Sequence, residues 1–192
     1  MTRFRRPAHR LALNSLMAAA LAASGASHAD TGKLVLTGGV SSVEGASGGG
    51  ISPWALIGTQ ATEGEKGIAA FASRAVTDDY RLNAFGVAVG FDDRLELSLG
   101  HQDFDTGITG VQLGLPGLRL RQDIVGAKVR LAGNAVLDSD SLMPQVAAGL
   151  QYKRLHRSGL DGTLDALGAK RDGLDLYLSA TKLFLAQGVL VN

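Results

Sequence analysis

The sequence predicts an all-β fold, an antiparallel up-and-down transmembrane β-barrel that follows an N-terminal signal peptide. Several segments of about ten residues, the length of a tilted membrane strand, alternate apolar with small or polar side chains. The N-terminus has the features of an export signal, and the rest of the chain holds no run of about 20 apolar residues that would make a membrane helix. The alternative is a soluble periplasmic β-protein that binds an apolar ligand and buries its apolar face in a core.

Residues 82–103 show this alternation most clearly and are predicted to form one β-hairpin. Because successive side chains of a strand point to opposite faces, each arm has one apolar face and one face of small or charged residues. Asp92 and Asp93 lie between the arms and suit a tight turn. The apolar positions are Phe85, Val87, Val89 and Phe91 in the first arm and Leu95, Leu97 and Leu99 in the second.

Residues 1–29 have the three parts of a secretory signal peptide. Four arginines form a basic start, residues 11–23 form a short apolar run, and Ser27 and Ala29 are the small residues that precede a cleavage site. We expect cleavage after Ala29, so that the mature protein begins at Asp30. Export of this kind, combined with membrane strands, predicts a location in the outer membrane of a Gram-negative envelope.

Charge and cysteine content exclude several classes of function. Four of the 19 Lys and Arg residues lie in the signal peptide and none of the 18 Asp and Glu residues does, which leaves 15 basic against 18 acidic residues and a net charge of −3. This balance disfavours a nucleic-acid partner, which needs a positive surface. The chain has no cysteine, which excludes disulfides, thiolate metal sites and cysteine nucleophiles.

The remaining segments predict further strands joined by turns and long loops. The glycine-rich run of residues 38–50 is expected to form turns because it is too poor in side chains to pack a core. Residues 104–122 are expected to form a long loop, with or without one irregular strand, and residues 155–172 a second long loop. Trp54 suits either a membrane interface or an ordinary core. The predicted strands are residues 54–61, 68–76, 124–131, 144–154 and 173–184, with a last one that starts near residue 187.

The last predicted strand has about half the length of a crossing strand. Barrel strands must close on one another, because an open edge leaves backbone groups unpaired in lipid. We therefore expect residues 30–192 to form a barrel domain that is incomplete at its C-terminus.

Seven polar residues alternate with the apolar positions and are predicted to face the barrel lumen. Such charges either pair across strands and plug the interior or line a water-filled path, and pairing is the expected arrangement in a small barrel. The seven are Arg94, Glu96, Lys128, Arg130, Gln151, Lys153 and Asp175.

The sequence predicts no catalytic, cofactor-binding or metal site. Ser98 and His101 are three residues apart and fall on opposite faces, so a local catalytic triad is not expected, and a triad would need a partner from another strand. His101 and Asp103 are expected to mark the polar rim of the barrel, and His156 to lie solvated in a loop. Two histidines with no suitably spaced carboxylates disfavour a structural transition-metal site. Residues 45–49 match the G-x-S-x-G pattern, but no helix is predicted after Ser47, as a nucleophile elbow requires.

Four stretches carry a resemblance to a known family: KLVLTGGVSSVEGASGGGISPWALIG, FDDRLELSLGHQDFDTG, QDIVGAKVRLAGNAVLDSDSLMPQVAAGLQYKR and LDLYLSATKLFLAQGVLVN. They cover nearly the whole mature chain, which resembles the bacterial domain-of-unknown-function family 3034 of predicted outer-membrane proteins. The resemblance implies a barrel with further strands after Asn192. It implies no activity and no catalytic residue.

These observations together predict a non-enzymatic outer-membrane β-barrel protein, either a porin-like channel or a structural envelope protein. Its expected partners are outer-membrane lipid and, as the fold implies, the barrel assembly machinery. No cofactor is expected. An outer-membrane barrel enzyme that acts on lipid is a further alternative, although the sequence shows no nucleophile and base that would converge on the outward face.

Overall fold

The structure, a computed structural model, describes residues 41–49, 52–58, 64–136, 141–156 and 158–192. Every described residue belongs to one compact unit, which lies within Lys33–Asn192. The signal peptide predicted at residues 1–29 and the start of the mature chain lie outside the described residues.

The described residues form an antiparallel all-β fold with two short helices. Strands β3 to β9 make one seven-stranded sheet in sequential order, which curls into a half-barrel, and β1 pairs with β2 in a separate small hairpin. Neither helix in the described part of the chain has the length and apolar character needed to cross a membrane. The strands are β1 (Gly48–Gly49), β2 (Ser52–Pro53), β3 (Lys66–Val76), β4 (Arg81–Phe91), β5 (Leu95–Asp105), β6 (Arg119–Ala132), β7 (Gln145–Leu155), β8 (Asp172–Phe184) and β9 (Val189–Val191), and the helices are α1 (Gly107–Gln112) and α2 (Asp161–Ala166).

The hairpin predicted at residues 82–103 is confirmed as β4 and β5. Asp92 and Asp93 have positive φ angles of 54° and 49°, and the Arg94 N–H donates to the carbonyl of Phe91 across the turn. Two successive positive φ angles give the turn a twist that matches that of the two strands. Arg94, which the alternation assigns to the second arm, lies instead in this turn and is exposed.

The prediction of a strand at residues 54–61 is wrong for residues 54–58, which form irregular backbone. Residues 59–61 lie outside the described part of the chain. Ala55, Leu56 and Ile57 are buried. The Ala55 N–H donates to Thr181 Oγ1, and Gln145 Nε2 donates to the Ala55 carbonyl. Ala55 therefore satisfies both of its backbone groups with side chains of the sheet rather than with a neighbouring strand.

The glycine-rich run also differs from the expectation of simple turns. Within its described part, Ala46, Ser47 and Gly48 are buried and pack against the sheet. Glycine allows this close packing: a Cβ on Gly100 of β5 would lie 2.9 Å from the carbonyl oxygen of Glu44. The described part of this run is therefore packed on the inner face of the sheet.

The two segments expected as long loops each contain a helix. Strand β5 continues to Asp105 and β6 begins at Arg119, so α1 occupies only the short connection between them. Gly107 starts α1 with a φ of 47°, and a Cβ there would lie 1.6 Å from the Asp79 carbonyl oxygen, which makes glycine necessary. Helix α2 lies between β7 and β8.

The other predicted strands are confirmed with longer or shifted bounds. They are residues 68–76, 124–131, 144–154 and 173–184 and the last short strand.

Candidate functional site

One face of the seven-stranded sheet is apolar and exposed. Pairing aligns the apolar positions of successive strands into rows across the sheet. Their exposure is high, and reaches 76% for Leu176. A contiguous apolar surface of this kind marks contact with a membrane or with another protein. One row consists of Val87, Leu99, Val125, Tyr152 and Leu174, and the next of Val89, Leu97, Ala127, Leu150 and Leu176.

The opposite face is covered by residues 41–49 and 52–58, which we call the inner segment. Glu96 of β5 and Lys128 of β6 are register partners on this face, and Lys128 Nζ lies 3.0 Å from Glu96 Oε1. Both side chains are only 1% exposed. A fully buried ion pair is costly unless its remaining hydrogen-bonding groups are also satisfied.

The backbone of the inner segment supplies those partners. Glu96 accepts hydrogen bonds from the backbone N–H groups of Ser47 and Gly58. Lys128 donates to the carbonyl oxygens of Ser47 and Trp54, at 3.4 and 3.2 Å. The ion pair therefore fixes the inner segment at three separate points along its length.

Further contacts hold the inner segment near its start and pack its Trp side chain. Gln102 Nε2 donates to the Val43 carbonyl at 2.8 Å, and Lys153 forms an ion pair with Glu44. Trp54 is partly buried and packs against the small apolar cluster of Leu56, Ala135 and Val136, so the structure places it in a core rather than at an interface.

The seven residues predicted to face the lumen fall into two groups. Glu96, Lys128, Gln151, Lys153 and Asp175 lie on the face that the inner segment covers, whereas Arg130 and Arg94 lie at the end of the sheet that carries the β4–β5 turn. Several of these charges form ion pairs: besides Glu96 with Lys128, Lys153 contacts Asp175 at 2.9 Å, and Arg130 contacts Asp93 at 2.7 Å. Only Arg94 and Asp175 of the seven are largely exposed.

The residues that match G-x-S-x-G, 45–49, help to hold the inner segment on the sheet. Ser47 is followed by strand β1 rather than by a helix, and its backbone bonds to both members of the ion pair. Ser98 is buried on the covered face, and His101 lies on the other face, as the alternation predicts.

A cluster at the edge of the apolar face was not predicted from the sequence. His101 Nδ1 and His156 Nε2 each lie 2.6 Å from a different carboxylate oxygen of Asp123. Asp123 lies beyond the apolar rows. Its pKa is lowered, mainly by the hydrogen bond with His101, while burial has a smaller effect in the opposite direction. Asp123 is 22 residues from His101 and 33 from His156, so only the strand register reveals the cluster.

Comparisons with known proteins give one match. Neither curated proteins nor solved structures show a significant similarity to the chain. A family model described as protein of unknown function (DUF3034) matches residues 37–192, which include all the described strands and helices. The match confirms the resemblance noted in the sequence, and the chain therefore belongs to the DUF3034 family.

Proposed function

We propose that the chain is a non-enzymatic outer-membrane β-barrel protein whose interior is occupied by the inner segment. The observation that carries the proposal is the polarity of the sheet, which exposes its apolar face and covers its charged face. A sheet of a soluble protein has the opposite arrangement, because its apolar face packs on the core. In an outer-membrane barrel, lipid contacts the apolar face and the polar face points inward.

Strand length and the position of the polar residues support this proposal. Strands β3 to β8 have 11 to 14 residues, enough for the roughly 9 to 11 that a tilted crossing strand requires. Polar residues flank the apolar rows along β4, β5 and β6. Asp103 and Asp123 lie beyond them at one edge, and the Asp92–Asp93 turn lies at the other.

A complete barrel requires strands in addition to β3–β9. Strands β3 and β9 are the two edges of the sheet, and they do not pair with each other in the described residues. Unpaired backbone groups are not tolerated in lipid, so the proposal requires further strands between these edges. The barrel assembly machinery would then close and insert the whole sheet.

The proposal favours a structural or gated role over a permanently open channel. The inner segment is bound to the sheet by a buried ion pair and by several side-chain hydrogen bonds to its backbone. Conduction would require this segment to leave the covered face. A channel is therefore the second form of the proposal, with displacement of the inner segment as its gate.

Expression of the chain in a Gram-negative bacterium, extended by the strands that close the sheet between β3 and β9, tests the proposal. We expect the protein in the outer-membrane fraction after extraction with high salt and with carbonate. Leu97→Arg places a charge on the proposed lipid face, at a cost of about 2–4 kcal/mol near the midplane, and should reduce insertion strongly.

The matched control is Ile108→Arg. Ile108 is as exposed as Leu97, 47% against 45%, but it lies in α1 outside the apolar rows. Its substitution should leave insertion unchanged. Release of the wild-type protein into the soluble periplasmic fraction, or equal insertion of both variants, would contradict the proposal and favour a soluble protein with an apolar ligand.

A further inference from the structure

We propose that His101, Asp123 and His156 form a binding site for one divalent first-row transition-metal ion, for which zinc is the best match. Two imidazoles and one carboxylate are donors that suit zinc, and imidazole also binds copper and nickel. The proposal does not depend on the location of the protein in a membrane. The sequence alone disfavoured such a site because no carboxylate stood at a ligand spacing from either histidine.

The donor atoms are close enough to share one ion. One ligand atom from each of the three residues lies within 4.8 Å of the other two. Zinc bonds of about 2.0–2.2 Å place neighbouring donors of a tetrahedral site about 3.2–3.6 Å apart. The present separation of 2.6 Å between each imidazole nitrogen and Asp123 therefore needs to widen by about 1 Å or less, which side-chain rotations can supply.

The backbone and its neighbours hold the three side chains in place. His101 and Asp123 are register partners on β5 and β6, and the N–H of His156 donates to the Arg121 carbonyl just beyond the end of β7. The ring of His101 also packs on Phe85, with centroids 5.0 Å apart. Donors fixed by neighbouring strands lose little conformational freedom when an ion binds, which favours affinity.

The surroundings leave room for a fourth ligand. Three protein ligands and one open position are typical of zinc sites that bind water or a further ligand. A cleft of about 790 Å³ begins at Asp123 and His156 and is lined further by Asp165, Arg171 and Asp172. Arg171 forms an ion pair with Asp165 at 3.2 Å, so the acidic side chain offsets the positive charge of Arg171 in the cleft.

Metal binding to the full, detergent-solubilised chain tests the proposal. After removal of metal with a chelator, titration with zinc chloride in a calorimeter should show one ion bound per chain. His101→Ala, Asp123→Asn and His156→Ala should each weaken binding by about tenfold or more, a range known even for loss of outer-shell partners of metal sites. Asp103→Asn is the matched control, since Asp103 lies one row further along the same edge and pairs with Arg119.

A second measurement needs no variant and so tests the site even if the substituted proteins fold poorly. Residues 30–192 contain only two histidines, His101 and His156, so nitrogen NMR of their imidazoles in the wild-type protein reports directly on the site. Zinc should shift the signals of both rings together at one equivalent. Unchanged imidazole signals, or wild-type affinity in folded His101→Ala and His156→Ala variants, would show that the cluster is only a hydrogen-bonded contact between strands.

Discussion

Removal of the Glu96 carboxylate should release the inner segment from the sheet. In Glu96→Ala, Lys128 stays buried and loses its ion-pair partner, a change that typically costs about 3–5 kcal/mol. The N–H groups of Ser47 and Gly58 lose their acceptor as well, and an unsatisfied buried donor costs about 1–3 kcal/mol. These costs overlap, so we expect a loss of at least about 3–5 kcal/mol in the free energy of unfolding.

The structure also predicts a ranking between the two partners. Each partner keeps two backbone hydrogen bonds when the other is removed. Lys128→Met preserves most of the side-chain volume and takes a donor only from carbonyl oxygens, whereas Glu96→Ala leaves a cavity and two N–H groups without their acceptor, so Lys128→Met should destabilise the protein less. Asp175→Asn is the control, because Asp175 is largely exposed and its partner Lys153 keeps Glu44. An exposed ion pair contributes about 1 kcal/mol or less.

Urea unfolding of the protein in lipid or detergent measures the stability of each variant, and hydrogen exchange locates the loss. We expect faster exchange in the inner segment of Glu96→Ala before the sheet itself opens. A loss of stability no larger than that of Asp175→Asn, or exchange that increases evenly along β3–β8, would refute the assignment of the ion pair as the anchor of the inner segment.

Two other substitutions test the packing of the inner segment. Gly100→Ala places a Cβ 2.9 Å from the Glu44 carbonyl oxygen and should destabilise the protein by about 1–3 kcal/mol. Gly173→Ala is the control, because Gly173 has open space around it and its substitution should not destabilise the protein. Equal midpoints of urea unfolding for the two variants would contradict the close contact between β5 and the inner segment. Glu44→Gln should cost about 1 kcal/mol or less, since Lys153 is partly exposed and keeps Asp175, and the effect should shrink in high salt; a loss of several kcal/mol would contradict this.

The strands were predictable because alternation is a strong local signal. Residues such as Leu97 and Val129 stand on one face and Glu96 and Lys128 on the other, and no helical period fits that pattern. The pattern also places the polar residues on a common face. It leaves open whether they pair or line water, because that depends on what covers the face.

The inner segment and the histidine cluster were not predictable, for a common reason. Residues 45–49 have no periodicity, and their place in the interior follows from the backbone groups that they offer to Glu96 and Lys128. Asp123 meets His101 only when β5 and β6 are paired in the correct register. Both features rest on contacts between distant parts of the chain, which local sequence patterns do not encode.

The environment of the apolar face is the most direct test of the account. The chain has no cysteine, so single cysteines can be introduced at Leu97, Leu150 and Leu176 and spin-labelled in the protein reconstituted in lipid. All three positions should be accessible to oxygen, which dissolves in lipid, and protected from a water-soluble nickel complex, while a label at Ile108 in α1 should show the reverse. Strong accessibility of the three positions to the nickel complex, or protection from both reagents, would contradict a lipid-facing sheet.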